Sequence, residues 1–127
     1  NEMEIGMGIH GEPGIHRSTL QPADLVVDQM MDKILSDLPL SPGDEVSVLV
    51  NGLGATPKEE LYIVYRKIAQ ILKQKQVSVF HVYVGEFATS MEMVGFSISL
   101  CKLDAELKGL LSIAAKTPFF EQAALQG

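Results

Sequence analysis

Between Glu45 and Lys75 the sequence changes its period once, from two to between three and four, and that change restricts the fold more than any other feature. Glu45 to Val50 reads as a strand. Asn51-Gly-Leu-Gly-Ala-Thr-Pro57 then reads as a polar, glycine-containing connection. Thr56 is expected to cap the helix that follows, with Pro57 at the first helical position and Glu59 completing a capping box. Leu61, Val64, Tyr65, Ile68, Ile71 and Leu72 form a buried stripe that carries the helix to about Lys75. A strand feeding directly into an amphipathic helix is the building unit of α/β folds.

The flanking segments extend this unit. Met3 to Ile9 alternates large apolar residues with Glu or Gly, the pattern of a strand with one bare, glycine-lined face. His10-Gly-Glu-Pro-Gly-Ile-His16 reads as a loop. Pro22 to Leu38 has helical spacing through Leu25, Val26, Met30, Ile34, Leu35 and Leu38, and the two prolines and the glycine of Leu38-Pro-Leu-Ser-Pro-Gly-Asp44 end it. Val77 to Val84 is expected as a third strand, with Val77, Val79, His81 and Tyr83 on one face and Phe80, Val82 and Val84 on the other. Gly85 to Gly95 connects it to a fourth strand, Phe96 to Leu103, and Asp104 caps a last helix that ends near Ala115. The order is β-α-β-α-β-β-α, an α/β (α+β) two-layer sandwich of a mixed sheet with helices. It forms one domain over 1–120, followed by a loosely ordered tail over 121–127.

Composition narrows the function classes. A net charge of −6 over 127 residues disfavours nucleic acid and anionic lipid as partners, and Lys67, Lys73 and Lys75 read as a solvated helix end. Cys101 is the sole cysteine, which rules out an internal disulfide, fits a reducing compartment and reads as a small core hydrophobe. No apolar run approaches the roughly 20 residues that span a bilayer, so the cytoplasm is the expected location.

His10 is the residue with most chemical reach. At the edge of a glycine-rich strand, its ring can serve as a metal ligand, a general base or a nucleophile toward a carbonyl, or can simply be a surface histidine. Gly11 and Glu12 share its loop. His16 with His10 and Glu12 invites a metal reading, but the spacing matches no chelating pattern. The Asn51 to Pro57 segment lacks the Lys-Ser/Thr of a phosphate-binding loop, leaving Asn51 and Thr56 as candidates for polar contacts. His81 reads as a core histidine, and Met30, Met31, Met91 and Met93 as packing residues.

Three segments in order resemble the substrate-binding subunit of dihydroxyacetone kinases: Glu4-Ile-Gly-Met-Gly-Ile-His-Gly-Glu-Pro-Gly14, Asn51-Gly-Leu-Gly-Ala-Thr-Pro57 with Glu60-Leu-Tyr62, and Thr89-Ser-Met-Glu-Met-Val-Gly-Phe-Ser-Ile-Ser99. The resemblance runs from residue 1 through Thr117-Pro118 and implies the C-terminal part of such a subunit. It implies that His10 binds dihydroxyacetone covalently, as a hemiaminal through the distal ring nitrogen, with Gly11 and Glu12 in the substrate loop. An imidazole is substantially neutral near pH 7 and can add to a ketone, whereas glycerol has no carbonyl to attack. The resemblance further implies no cofactor in this chain, since ATP or ADP with magnesium is held by a nucleotide-binding partner subunit or domain. It implies a homodimer, and a missing N-terminal portion supplying an Asp base and a second His. The same loop in a regulatory paralogue would report dihydroxyacetone to a transcription factor.

Overall fold

The computed structural model describes residues 1–126. Its centre is β3 (Glu45–Gly54), which pairs in parallel with β4 (Ser78–Gly85) on one side and antiparallel with β5 (Val94–Lys102) on the other. The mixed sheet therefore has the order β4-β3-β5. Val46, Val48 and Val50 on one face of β3 are fully buried. Over them lies α2 (Lys58–Gln74), which buries Leu61, Val64, Ile68 and Leu72 at the predicted spacing, with Tyr65 and Ile71 packed at the margin. Helix α1 (Ala23–Asp37) packs beside α2 and sends Val27 and Met31 into the same core. The mixed α/β architecture expected from the sequence is the one observed.

Several expectations about individual elements are corrected. β3 does not stop at Val50 but continues through Asn51-Gly-Leu-Gly54, because β5 pairs with it as far as Gly54↔Val94. Gly52 lets α2 approach the sheet over a bare backbone, since a Cβ there would lie 3.0 Å from the end of the Leu61 side chain. Thr56 does not cap α2. Pro57 occupies the N-cap position without a side-chain bond, and the Thr56 hydroxyl instead donates to the Gly95 carbonyl at 2.7 Å, tying the helix entry to β5. In α1 the buried stripe runs through Val27 and Met31, with Met30, Ile34 and Leu35 flanking it, while Leu25 faces solvent.

The expected faces of β4 are also broken. Val46 pairs with Val79 but Ser47 pairs with His81, so Phe80 is an extra residue that shifts the alternation. Val79, Val82 and Val84 consequently share the core side, and His81 lies opposite Ser47, half-buried with its ring edge-on to Tyr83 rather than inside the core. Lys108 of α3 (Ala105–Leu111) sits 4.6 Å from the Phe80 ring centroid. Asp104 caps α3 as expected, accepting from the Leu107 N–H at 2.8 Å, but the helix stops at Leu111. Cys101 is exposed on the edge strand β5 and Met91 on a loop, so neither packs inside. Lys67 pairs with Asp28 of α1 at 3.3 Å and is not a free helix-end cation.

The expected loose tail is ordered through a short hairpin, β6 (Ala115–Lys116) with β7 (Glu121–Gln122); Gly127 lies outside the described residues. Gln122 anchors it by donating to the Leu111 and Ile113 carbonyls and accepting from the Tyr83 hydroxyl at 2.6 Å. Burial raises the Tyr83 hydroxyl above its ordinary pKa, so it remains a donor at neutral pH.

Because β4 and β5 flank β3 on opposite sides, the connection between them must cross the end of β3. Asn51 holds it there. Its buried amide donates to the Ala88 carbonyl at 2.6 Å and accepts from the Phe87 and Ala88 N–H groups at 2.8 and 3.0 Å. Asn51→Ala is expected to destabilise the domain by about 2 kcal/mol, since it removes the three hydrogen bonds through which this buried side chain holds the connection. Urea denaturation should show this as a lower midpoint with an unchanged slope.

Candidate functional site

The N-terminal segment forms a hairpin apart from the main sheet: β1 (Glu2–Ile5) pairs antiparallel with β2 (His16–Thr19), a strand the sequence did not announce. The expected strand from Met3 to Ile9 ends at Ile5 because Gly6 turns to φ +80°. Residues 6 to 15 form the hairpin loop, and His10 sits in it with its side chain 83% exposed.

The loop is built from carboxylates and glycines. The Glu4 carboxylate accepts from the Gly14 N–H at 2.6 Å and from Arg17 Nε at 2.9 Å. Gly14 cannot be larger, since a Cβ would lie 2.6 Å from Glu4 Oε1 and 2.7 Å from the Ile5 carbonyl. The far end is closed by Gly8 N–H to the Glu12 carbonyl and Gly11 N–H to the Gly8 carbonyl, both at 3.0 Å. Gly11 itself adopts φ +86°, a left-handed turn that favours glycine. Glu12 folds back on His10: Oε2 accepts the His10 backbone N–H at 3.1 Å, and Oε1 lies 3.7 Å from the ring Nδ1.

The Gly14 N–H, more than Arg17, holds the Glu4 carboxyl below its ordinary value of 4.5, against an opposing contribution from partial burial. A lowered folded-state pKa means the hairpin gains stability that is complete above the unfolded value and lost as pH falls through the folded one. We therefore expect the Gly14 amide to lose exchange protection as pH falls below the ordinary glutamate value of 4.5, while β3 amides keep theirs, as followed by NMR.

Of the residues singled out in the sequence, the structure brings together His10, Gly11 and Glu12. His16 is on β2 opposite Ile5, on a cleft of about 490 Å³ lined also by Ile15, Gln29, Asp32, Lys33 and Ser36. Among the described residues no three His, Cys, Asp or Glu side chains are grouped to hold a metal ion. Glu4 and Gly8 went unnoticed as site residues. Their signal was the run of glycines, since Glu12 fills the space beside Gly8 and Glu4 the space beside Gly14.

Fold and loop together define a small mixed α/β domain that presents an accessible imidazole on a hydrogen-bonded loop. The chain belongs to the Dak1 family, whose Dak1 domain matches residues 1–119. It is 52% identical over 120 residues to the dihydroxyacetone-binding subunit DhaK of PTS-dependent dihydroxyacetone kinase 2 from Listeria innocua, covering 94% of this chain and 36% of that one. Among solved structures it resembles the dihydroxyacetone kinase operon co-activator DhaQ, at TM-score 0.82 and 28% identity over 89% of this chain and 36% of the other. It also resembles the dihydroxyacetone kinase of C. freundii in complex with AMP-PNP and Mg2+, at TM-score 0.75 and 31% identity over 88% of this chain and 20% of the other. The chain thus spans about a third of the length of the Listeria relative. No helix among the described residues is long and apolar enough to cross a membrane.

Proposed function

We propose that the full-length protein binds dihydroxyacetone through a hemiaminal between its carbonyl carbon and His10, and presents the bound triose for phosphoryl transfer. The observation that carries this reading is the exposed His10 ring on a loop whose backbone is fixed from both ends by Glu4 and Glu12. A nucleophile that must form a bond needs an open approach and little freedom, and this loop supplies both. Gly11 leaves the approach uncrowded, since nothing lies within 4 Å of where its Cβ would be. Carbonyl capture also separates dihydroxyacetone from glycerol, which differ too little for hydrogen bonding alone to discriminate strongly.

In this reading ATP, or ADP recharged by a phosphotransferase carrier, is held with magnesium on a separate nucleotide-binding subunit or domain. The protein works in the cytoplasm as a homodimer. The described residues alone are expected to transfer no phosphate, because an acceptor hydroxyl needs a base and positioning groups beyond one imidazole.

The likeness to the co-activator supports a second reading, in which the same capture reports dihydroxyacetone to a transcription factor. Mass spectrometry of the intact protein and of its peptides tests what both share: incubation with dihydroxyacetone should add the mass of one triose, located on the peptide bearing His10, and glycerol should add nothing. Phosphoryl transfer to the bound triose by a nucleotide-binding partner then separates kinase from co-activator.

A further inference from the structure

We propose that Glu12 is a positioning residue that keeps the His10 ring proton on Nδ1, so that Nε2 carries the lone pair that meets the ketone. The inference rests on the ketone-capture reading and assigns a role within it. A neutral imidazole has one ring proton, and the nitrogen that bears it cannot attack. Reaction through the distal nitrogen therefore requires the Nδ1–H tautomer. Glu12 Oε1, 3.7 Å from Nδ1, is an acceptor placed on the side that favours it. Contacts of this kind are commonly long before substrate binds and tighten afterwards.

The carboxylate is not in this place by accident of a mobile side chain. Its other oxygen holds the His10 backbone N–H at 3.1 Å, and its own carbonyl is held by Gly8 N–H at 3.0 Å. Its seat exists only because residue 8 is glycine: a Cβ there would lie 2.6 Å from Glu12 Cδ and collide with the carboxylate oxygen. Glu4, the other carboxylate of the loop, is occupied by Gly14 and Arg17.

The step balances without any further reagent. The Nε2 lone pair forms the bond to the carbonyl carbon, and the π pair of the C–O bond moves to oxygen. The ring is then cationic with its proton on Nδ1, facing Glu12, which stabilises it as the carboxylate of a catalytic triad stabilises imidazolium. One proton passes from Nδ1 to the alkoxide through Glu12 and solvent, leaving a neutral hemiaminal.

Nitrogen-15 spectra of the His10 ring in the full-length protein, at a pH where the ring is neutral, read the tautomer directly and need no ketone. We expect Nδ1–H in the unaltered protein and a shift toward Nε2–H, the form a free histidine side chain prefers, in Glu12→Ala. The adduct fraction at sub-saturating dihydroxyacetone should fall roughly fivefold, following the loss of the competent form. Gly8→Ala, which evicts the carboxylate without removing it, should do the same, and the double variant should be no worse than either. An Nε2–H ring in the unaltered protein, or an unchanged Nδ1–H ring in Glu12→Ala, overturns the assignment. An Nδ1–H ring that depends on Glu12 but never forms an adduct supports the tautomer assignment and overturns the ketone reading instead.

Discussion

His10→Ala in the full-length protein is expected to abolish the triose adduct while leaving the fold intact. The two halves of that expectation have separate physical grounds. The His10 side chain is 83% exposed and its ring lies 3.7 Å from Glu12 Oε1, so its removal should change stability by no more than about 0.5 kcal/mol. Alanine has no nucleophilic nitrogen, so the covalent bond is lost entirely rather than weakened. If the protein acts with a nucleotide-binding partner, kcat/KM for dihydroxyacetone phosphorylation should fall by on the order of 10² or more, the penalty for losing the group that fixes the acceptor. Matched thermal unfolding curves with a missing mass increment are the expected pair of results.

Gly54→Ala is expected to have the largest effect on stability. Gly54 stands at φ +67°, where a side chain is strained in any surroundings. A Cβ there would also lie 2.8 Å from the Met93 carbonyl carbon and collide with its oxygen, and that backbone accepts the Ala55 N–H at 2.8 Å. Relief requires moving the start of β5 away from β3, which also disturbs the bond from Gly54 N–H to the Thr89 hydroxyl. A destabilisation of about 3 kcal/mol or more follows from strain and collision together. Chemical denaturation should show it, whereas Gly43→Ala, with φ +91° but open space around it, should be milder.

The contrast between these glycines marks what could be read from the sequence. Helix α2 was legible because Leu61, Val64, Ile68 and Leu72 follow one period and meet one apolar surface. The end of β3 was not, since Asn51-Gly-Leu-Gly54 has turn composition yet is paired along its whole length with β5. Glycine there answers to the approach of Leu61 and to a left-handed backbone, neither of which is a local property. The same holds for Thr56, whose capping pattern lost to a bond with Gly95 across the sheet, and for Phe80, whose bulge reverses an otherwise regular alternation. In the site, His10 stood out by its setting among Gly and Pro. Glu4 and Gly8 acquire meaning only when the hairpin closes and the carboxylates turn inward.

The central claim is that a ketone carbon becomes bonded to the His10 ring. Carbon-13 NMR of dihydroxyacetone labelled at its carbonyl, mixed with the full-length protein, follows that carbon itself. The account predicts a new protein-bound resonance in the tetrahedral region, coupled to imidazole nitrogen in labelled protein and absent with His10→Ala. Bound triose that shows only the free carbonyl and its hydrate, or a tetrahedral signal that survives His10→Ala, would contradict it.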